Sequence, residues 1–409
     1  MVMPYLNPKA ALRLAGGLVP NVNGAKNRKS IVYFGQTPGQ GTGSPINMLR
    51  HLRRLASAGW DVSIVSQWGE KTNSCDAEGW KVLQLPHRRA WWPPYRQGSR
   101  ILRKVRMILW ARECRSLFRG HKPDAVLTYL SYHCELMSEV AAHYCRLEHI
   151  PMTVIIYDDA LAFGRHTSYE AKMILGRFRW ILRQSHQNWF VSHQLASAYG
   201  FRPSEDSVEL PMPDGDVELI QWREEFSDAP IVVYAGYIYP QQYPLLARLA
   251  GLIQRAGGKL LLISKDSPET RAFAEASRVE FHPLLPTNRD ALEFVRNRAA
   301  AFLAAYCEDV VEMPWIRSSY PSKVVEFGNL GLPILFVSPA ESAIFAWNQE
   351  RGVPFNLLPD DSEGVLRFIE ALKCQLQWNA LAQPIRELAR TEFNPERIQQ
   401  RIEYNLLRK

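Results

Sequence analysis

Residues 30–66 read SIVYFGQTPGQGTGSPINMLRHLRRLASAGWDVSIVS, and the fold prediction rests on this stretch. The opening SIVYFGQ (30–36) is a short apolar run, which predicts a buried strand. After a glycine-rich turn, Ser44 and Pro45 supply an N-cap and a first-turn proline for a helix from about Ser44 to Ala58. DVSIVS (61–66) predicts the next strand. A strand, a helix and a strand in this order build a parallel sheet covered by helices.

The same alternation continues along the chain and is interrupted once. Further strands of the first half are predicted at 124–130, 152–158 and 187–192. The turn cluster PMPDGD and a polar segment that ends in proline then break the pattern near 211–230. It restarts with strands at 231–236, 259–264, 278–282, 300–306 and 333–338, and with helices at 244–256, 287–298 and 322–330. The last 50 residues have a helical pattern.

This alternation predicts an α/β protein with two tandem, doubly wound (Rossmann-like) parallel-sheet domains that face a cleft. The predicted divisions are an N-terminal arm at 1–29, a first domain at 30–215, a second domain at 229–385 and a helical tail at 386–409. Because ligands of such sheets bind beyond the carboxyl ends of the strands, polar residues there are the candidates for chemistry.

The composition of the 409 residues excludes several classes of protein. With 46% hydrophobic and 22% charged residues, the chain can bury a large core and is not a disordered polymer. It has no stretch of 18 uncharged apolar residues and no continuous apolar segment at its N-terminus, so neither a transmembrane helix nor a signal peptide is expected. The six cysteines include no C-x-x-C pair, so we expect reduced, mostly buried thiols of a cytosolic protein and neither a disulfide set nor a zinc site.

The net charge is concentrated in one segment. The formal charge is +8, but residues 88–119 alone hold ten Arg and Lys against one acid, Glu113, so the remainder is nearly neutral. This distribution argues against a protein that coats nucleic acid with dispersed charge, and for one localised anionic partner.

The glycine-rich turn GQTPGQGTGS (35–44) is the first candidate site. Backbone N–H groups at such a turn, together with the dipole of the following helix, suit an anion or a diphosphate. The turn is not a Walker A loop, because no G-K-[S/T] follows, and the second strand lacks the acid of a dinucleotide fingerprint. The alternative is a flexible turn packed close to the sheet.

The segment RSSYPSKVVEFGNLGLP (317–333) is the second candidate. Pro321 and Ser322 open a short helix, on which Lys323 and Glu326 share one face. A cation beside a helix N-terminus suits phosphate, and a carboxylate one turn further can accept two hydrogen bonds from a diol such as ribose. The alternative is an ion pair between these two residues on a solvated helix.

Several of these motifs, taken in order, resemble a family. They are the glycine-rich turn, L-x-x-L-A-x-A-G-W-D-V, P-D-A-V, I-P-M-T-V-I-I-Y-D-D, F-V-S-H-Q-L-A and, above all, P-S-K-V-V-E-F-G-N-L-G-L-P-I-L. Across residues 30–390 the chain resembles GT-B nucleotide-sugar glycosyltransferases, namely glycosyltransferase family 4 and its neighbours.

The resemblance implies a role for each donor-side residue. Glu326 would bind the donor ribose, and Ser322 and Lys323 would lie at the diphosphate. The loop around His282 would meet the nucleobase. The turn with Gly41 and Gly43 would face the transferred sugar or the diphosphate. No metal or other cofactor is implied, because GT-B sites neutralise the diphosphate with helix dipoles and basic side chains.

Three positions depart from the family pattern. Ser318 stands where family 4 usually has a Glu, and Tyr157 stands where many members have a His. The usual Arg and Lys after the first strand of the second domain are missing, since the chain reads AGYIYPQQY (235–243). Lys323, Arg317, Lys265 and helix dipoles are therefore expected to meet the diphosphate charge, and the choice between a retaining and an inverting reaction stays open.

Asp158 and Asp159, at the carboxyl end of a predicted inner strand, are the candidate catalytic carboxylates. An inverting transfer needs one carboxylate to deprotonate the acceptor hydroxyl, and two adjacent carboxylates in a cleft tend to raise one pKa. The alternative for one of them is to cap the following segment ALAFGR. His133, after another strand, is a second candidate base or an orienting residue.

The basic segment is predicted to contact an anionic membrane surface. Its aromatic and basic side chains alternate, and the residues assigned to this contact are Trp91, Trp92, Arg100, Arg103, Lys104, Arg106 and Trp110. A solvated face is the alternative. Nucleic acid is not favoured, because the charge is confined to one helix beside a sugar-transfer fold.

Together these observations predict a glycosyltransferase at the cytoplasmic face of the cell membrane, a peripheral protein of surface-glycan synthesis. It would move a hexosyl-type sugar from a nucleotide-sugar donor to a saccharide or a lipid-linked saccharide. The alternatives are a non-catalytic glycosyltransferase-like subunit and a GT-B epimerase or phosphorylase.

Overall fold

The structure is a computed structural model. It describes residues 28–39, 43–67, 69–85, 100–118, 120–131, 135–162, 166–202 and 208–407. Nearly all of the predicted arm at 1–29 lies outside these ranges, as do Gly41, Trp91, Trp92 and His133.

The first domain contains a parallel sheet of six strands, in the order β3-β2-β1-β4-β5-β6. The strands are β1 (Ser30–Phe34), β2 (Asp61–Gln67), β3 (Lys81–Leu85), β4 (Ala125–Tyr129), β5 (Met152–Ile156) and β6 (Gln187–Phe190). The helices are α1 (Ser44–Ser57), α2 (Asn73–Ala77), α3 (Arg100–Leu117), α4 (Glu135–Glu148), α5 (Ser168–Gln184) and α6 (His193–Ala198).

The second domain repeats this topology with another six parallel strands, in the order β12-β11-β10-β7-β8-β9. The strands are β7 (Ile231–Ala235), β8 (Lys259–Ser264), β9 (Glu280–Pro283), β10 (Ala301–Ala305), β11 (Ile334–Val337) and β12 (Asn356–Leu357). The helices are α7 (Tyr243–Arg255), α8 (Pro268–Ala276), α9 (Asn288–Arg298), α10 (Ser322–Gly328), α11 (Ala343–Glu350), α12 (Ser362–Leu372), α13 (Gln375–Arg390) and α14 (Pro395–Leu407).

The central strands are buried along their whole length, which explains their continuous apolar sequences. Every residue of β1, β4 and β5 is buried, and the register places Ile31 beside Ala125 and Val126 beside Met152. The strand order reverses between β1 and β4 in the first sheet and between β7 and β10 in the second. The loops that follow these strands are therefore the expected binding positions.

The chain crosses between the domains twice. An extended segment after β6 pairs with the second domain, where the Ile220 amide donates to the Leu330 carbonyl oxygen at 2.8 Å. The last helix, α14, then returns to the first domain and packs on α1, and Arg401 of α14 forms an ion pair with Glu209 at 2.9 Å. The predicted start of the tail at residue 386 falls inside α13, so α14 is the helix that makes this return.

The differences from the predicted elements lie at the edges of the sheets. The strands β3 and β12 were not predicted, because β3 is only partly buried and β12 is two residues long. Burial of the thiols is confirmed for Cys75, Cys114, Cys145 and Cys307, whereas Cys374 is exposed. Within the described ranges, no helix is long and apolar enough to span a membrane.

Candidate functional site

The short helix α10 brings Glu326 to the junction of the two domains. Pro321 precedes the helix in an extended conformation, and Val324, Val325 and Phe327 anchor it in the core of the second domain. Glu326 lies one turn into the helix and is only 3% exposed. A buried carboxylate needs a cation or hydrogen-bond donors, so its partners define the site.

The partner of Glu326 comes from the other domain. Nη1 of Arg50, on α1, donates to Glu326 Oε2 at 2.7 Å, and Arg50 Nη2 approaches Oε1 at 3.4 Å. The backbone amide of Asp214, between the domains, also lies 3.4 Å from Oε1. Lys323 instead donates to Asn288 Oδ1 at 3.1 Å. The alternative of a solvated Lys323–Glu326 ion pair is therefore wrong, since each residue has another partner and Glu326 is buried.

Lys323 is a partly desolvated cation near the start of α10. Burial lowers the pKa of its ammonium below the ordinary 10.5, and the nearby Glu326 carboxylate counteracts part of that effect. Its partner Asn288 is the first residue of α9, whose N-terminus is closed by a capping box between Thr287 and Asp290. Lys323 is thus held against a rigid helix end.

The other predicted donor-side residues lie on several different elements of the second domain. His282 lies on β9, its ring 4.6 Å from that of Phe294, and its Nδ1 is 2.6 Å from the Pro283 carbonyl oxygen. Ser322 is half-buried as the first residue of α10. Arg317, in a 3-10 turn, and Lys265, just after β8, are both exposed.

Gly43 forms the N-cap of α1, a role that the sequence assigns to Ser44. Its φ of 72° lies in the left-handed region that favours glycine, and Ser44 is the first residue of the helix. No acidic residue of α1 itself occupies its first turn, but the Asp158 carboxylate lies 3.2 Å from Ser44 Oγ and is therefore at the positive end of the helix dipole. Gly41 lies outside the described residues.

Asp158 lies at the carboxyl end of β5 and is held by two hydroxyl groups. Tyr129 OH donates to Asp158 Oδ2 at 2.6 Å, and Ser44 Oγ lies 3.2 Å from the same oxygen and 2.7 Å from Tyr129 OH. Burial, and after it the negative charge of Asp158 across the cleft, raises the pKa of Tyr239 in the second domain. Asp158 is therefore a partly exposed carboxylate that faces the second domain.

Asp159 has a different set of partners from its neighbour. Its Oδ1 accepts from the amides of Leu161 and Ala162 at 3.0 and 3.3 Å, and its Oδ2 accepts from Ser318 Oγ of the second domain at 3.1 Å. Asp159 therefore caps the turn that follows β5, which was the alternative given for one member of the pair. Asp158 therefore remains the candidate catalytic carboxylate of the pair.

Two of the departures from the family pattern have structural roles. Ser318 joins the domains, because its Oγ binds Asp159 and its carbonyl oxygen accepts from Ser192 Oγ at 2.5 Å. The Tyr157 hydroxyl points inward to His51 Nε2 at 2.9 Å. Burial, followed by the charges of Arg50 and Arg54, lowers the pKa of His51 to about 3, so this imidazole is neutral. His133 lies outside the described residues.

Aromatic rings occupy the loop in which the family carries its Arg and Lys. The ring of Tyr237 lies 4.9 Å from that of Tyr239, which lies 5.4 Å from that of Trp315, both in edge-to-face contact. Tyr237 is exposed at this rim. The loop after β7 thus presents rings and no cation to the cleft.

The basic helix α3 is only partly available to a partner. Arg103 points inward, with its Nη2 at 2.9 Å from Glu135 and 2.5 Å from Glu139, both on α4. Its assignment to a membrane contact is wrong, because buried carboxylates already hold its charge. Arg177 of α5 also binds Glu135, so the three helices are joined by one ion-pair network.

The outer face of α3 carries the remaining candidates. Lys104 and Arg112 are exposed, and Val105 and Leu109 are 48% and 54% exposed. Arg106 and Trp110 are half-buried, and Trp110 packs against the core. The side chain of Arg100 lies outside the described residues, as do Trp91 and Trp92.

Two sheets of this topology, with loops that meet across a cleft and a last helix that returns to the first domain, define the GT-B class of fold. The expected GT-B architecture is confirmed. Among the described residues, no group of His, Cys, Asp and Glu could hold a metal ion.

Comparison with known proteins supports the fold. No protein-family model and no curated protein sequence matches the chain. A glycosyltransferase from Rickettsia africae aligns at a TM-score of 0.65 and 9% identity, over 93% of this chain and 98% of that one. HepE of Anabaena, in complex with UDP, aligns at 0.61 and 12%, over 92% and 99%. MurG of Acinetobacter baumannii aligns at 0.53 and 14%, over 92% and 98%.

Sequence reasoning did not identify Arg50, Tyr129 or Tyr239 as site residues. A signal for Arg50 was present, because Asn47, Arg50 and His51 have the spacing of one helical face beside the apolar Met48 and Leu52. Polar side chains so close to a core stripe suggest a buried network. Tyr129 is the last residue of β4, and a polar side chain at the carboxyl end of a strand in such a sheet is a candidate site residue.

Proposed function

We propose that this protein transfers a sugar from a nucleoside-diphosphate donor, held by the second domain, to a hydroxyl group that approaches from the first domain. The observation that carries the proposal is the placement of Asp158 and α10 on opposite walls of one cleft. Asp158 lies at the carboxyl end of β5, whereas Lys323 and Glu326 lie on the short helix after β10. Nucleotides bind doubly wound sheets at this edge.

The donor-side assignment follows the chemistry of the residues present. The ammonium of Lys323 and the N-terminus of α10 are suited to a diphosphate, and the Glu326 carboxylate is suited to the ribose hydroxyls. Two structural neighbours support a nucleotide donor: HepE was crystallised with UDP-glucose, and an α-glucosyltransferase was crystallised with UDP and DNA. The aromatic loop at Tyr237 and Tyr239 would border the transferred sugar.

On the acceptor side, Asp158 would serve as the base of an inverting reaction. Its carboxylate takes the acceptor proton while the acceptor oxygen bonds to the anomeric carbon. The bond from that carbon to the diphosphate breaks, and the leaving oxygen keeps the electron pair. Lys323 and the dipole of α10 would stabilise that negative charge.

The first experiment measures thermal stability with UDP, GDP and ADP, and then the hydrolysis of the matching nucleotide sugars. An enzyme that uses a nucleotide-sugar donor should be stabilised by one nucleoside diphosphate, by about 2.7 kcal/mol at a hundredfold excess over Kd. It should also slowly hydrolyse the matching nucleotide sugar. Stabilisation without any hydrolysis or transfer would favour a non-catalytic subunit. A rearranged sugar nucleotide, formed without an acceptor, would favour an epimerase.

A finer part of the proposal is that the acceptor is a saccharide linked to lipid, which the protein meets at the cytoplasmic membrane surface. The outer face of α3 supports this, since Lys104 and Arg112 flank the exposed Leu109. A basic helix with exposed apolar side chains binds anionic lipid through the attraction of its cations to the head groups and through burial of its apolar side chains. Each such cation contributes about 1 kcal/mol near the surface.

Vesicle binding tests this part. The variant Lys104→Gln/Leu109→Ser/Arg112→Gln should bind anionic vesicles at least about thirtyfold more weakly than the wild type. The matched control, Arg367→Gln/Leu376→Ser/Arg390→Gln, removes the same charge and one leucine that is 80% exposed in the second domain. The membrane assignment fails if both triple variants bind alike, or if the wild type does not bind.

A further inference from the structure

Arg50 lies where three parts of the chain meet. It projects from the middle of α1 in the first domain and is 6% exposed. Its Nη1 donates to the Met212 carbonyl oxygen at 2.9 Å in the segment between the domains, and its Nη2 lies 3.5 Å from Asp214 Oδ2. The same guanidinium binds Glu326 in the second domain. Glu326 is thus a donor-site residue whose ion pair reaches into the first domain, whereas Lys323 binds Asn288 within its own domain.

The two oxygens of Glu326 are used unequally. Oε2 accepts the short, charge-assisted bond from Arg50 at 2.7 Å. Oε1 has only two contacts of 3.4 Å, from Arg50 Nη2 and the Asp214 amide, so it retains the capacity for further donors. Arg50 therefore fixes one oxygen of the carboxylate without saturating the other.

Glu326 needs the positive charge of Arg50 because the carboxylate is buried. A carboxylate left buried without its partner is strongly disfavoured, because the protein interior replaces the water that would solvate its charge. Lys323, one turn earlier, directs its ammonium to Asn288. Without Arg50, the Glu326 carboxylate would be left buried and unpaired or would turn to solvent, and in neither case would it stay oriented as an acceptor for hydroxyl groups.

We propose that Arg50 is a positioning residue of the donor site, which holds the Glu326 carboxylate oriented for the ribose diol from the opposite domain. This inference rests on the proposed function, because it assigns the ribose to Glu326. It adds that recognition of the sugar of the nucleotide depends on a first-domain residue that does not itself contact the nucleotide.

The test compares a ribonucleotide with its analogue that lacks the diol. Calorimetry with UDP (or with whichever diphosphate stabilises the protein) and with its 2′,3′-dideoxy form gives a ratio of affinities for each variant. Arg50→Met should lower the affinity for the ribonucleotide by about tenfold or more and leave that for the dideoxy analogue nearly unchanged. A merely structural loss would lower both affinities equally.

Matched variants complete the design. Arg53→Met, one turn further along α1, removes an arginine that pairs with Glu78 inside the first domain, and should leave the ratio as in the wild type. Arg50→Lys should recover part of the ratio. Arg50→Met/Glu326→Gln replaces the buried pair with neutral residues, which avoids an unpaired buried charge, and should match Glu326→Gln alone.

The possible results distinguish a failure of the proposed function from a failure of the role given to Arg50. If the wild type binds no nucleoside diphosphate, the proposed function fails. If the wild type prefers the ribonucleotide and Arg50→Met keeps that preference, the function stands and the role of Arg50 is wrong. A gain in ribonucleotide affinity in Arg50→Met would also overturn it, because Arg50 would then compete with the ribose.

Discussion

The two walls of the cleft have the same topology and different chemistry. Both sheets reverse their strand order in the same way, and both place their loops at the carboxyl ends of the strands. On the first-domain wall, Asp158 is surrounded by the neutral hydroxyls of Tyr129 and Ser44. On the second-domain wall, the Glu326 carboxylate is bound to a guanidinium and lies one turn from the Lys323 ammonium.

The chemical difference between the two walls therefore lies in the residues around the ends of the strands, since the two sheets have the same topology. A carboxylate that only neutral hydroxyls hold can still accept a proton from a substrate. A carboxylate that a guanidinium holds in place through charge-assisted hydrogen bonds is suited to binding. Changes at Asp158 and its hydroxyl partners should therefore affect turnover and spare donor affinity, and changes at Glu326, at its partner Arg50 and at Lys323 should do the reverse.

The largest effect on turnover is expected for Asp158→Asn. The amide keeps the shape of the side chain and cannot take the acceptor proton, so kcat should fall by about 100-fold or more with donor affinity retained. Asp159→Asn is the control, because Asp159 already accepts from Ser318 and two backbone amides. If the Asp159 variant loses more turnover than the Asp158 variant, the two roles are reversed.

A smaller effect, on binding, is expected for Lys323→Met. Loss of the cation should weaken a nucleoside diphosphate by about tenfold and the uncharged nucleoside hardly at all. The pH dependence has a defined sign. Since burial lowers the pKa of Lys323 below 10.5, wild-type affinity should decline with rising pH earlier than for an ordinary lysine. The methionine variant should show no such decline; equal alkaline profiles for both proteins would exclude this role.

The smallest effect is expected for Tyr129→Phe. The hydroxyl contributes one hydrogen bond to Asp158 at 2.6 Å, and its removal should lower kcat by a few-fold, equivalent to about 1 kcal/mol. Donor affinity should not change, because Tyr129 lies on the other wall. Calorimetry beside steady-state kinetics checks both quantities, and a loss of affinity with unchanged kcat would contradict the division between the walls.

Much of the fold could be predicted from the sequence because the central strands are continuous apolar runs with helices between them. The site could be predicted only in part. Asp158 and Asp159 are neighbours after the same strand, and only the fold shows that one caps a turn and the other faces the cleft. Arg50 and Glu326 are 276 positions apart, so no local spacing relates them. Arg103 had the pattern of a surface residue, yet it pairs with two acids of α4.

The claim that Glu326 binds the donor ribose is tested most simply by calorimetry of nucleoside diphosphates with Glu326→Ala and with Glu209→Ala. Both variants remove a buried carboxylate paired with an arginine across elements that join the domains, so both should lower the melting temperature. Only Glu326→Ala should also lose about 2–4 kcal/mol of nucleotide binding, as two charge-assisted hydrogen bonds to the ribose disappear. Equal affinity in the two variants would contradict the account, because Glu326 would then be a structural residue alone.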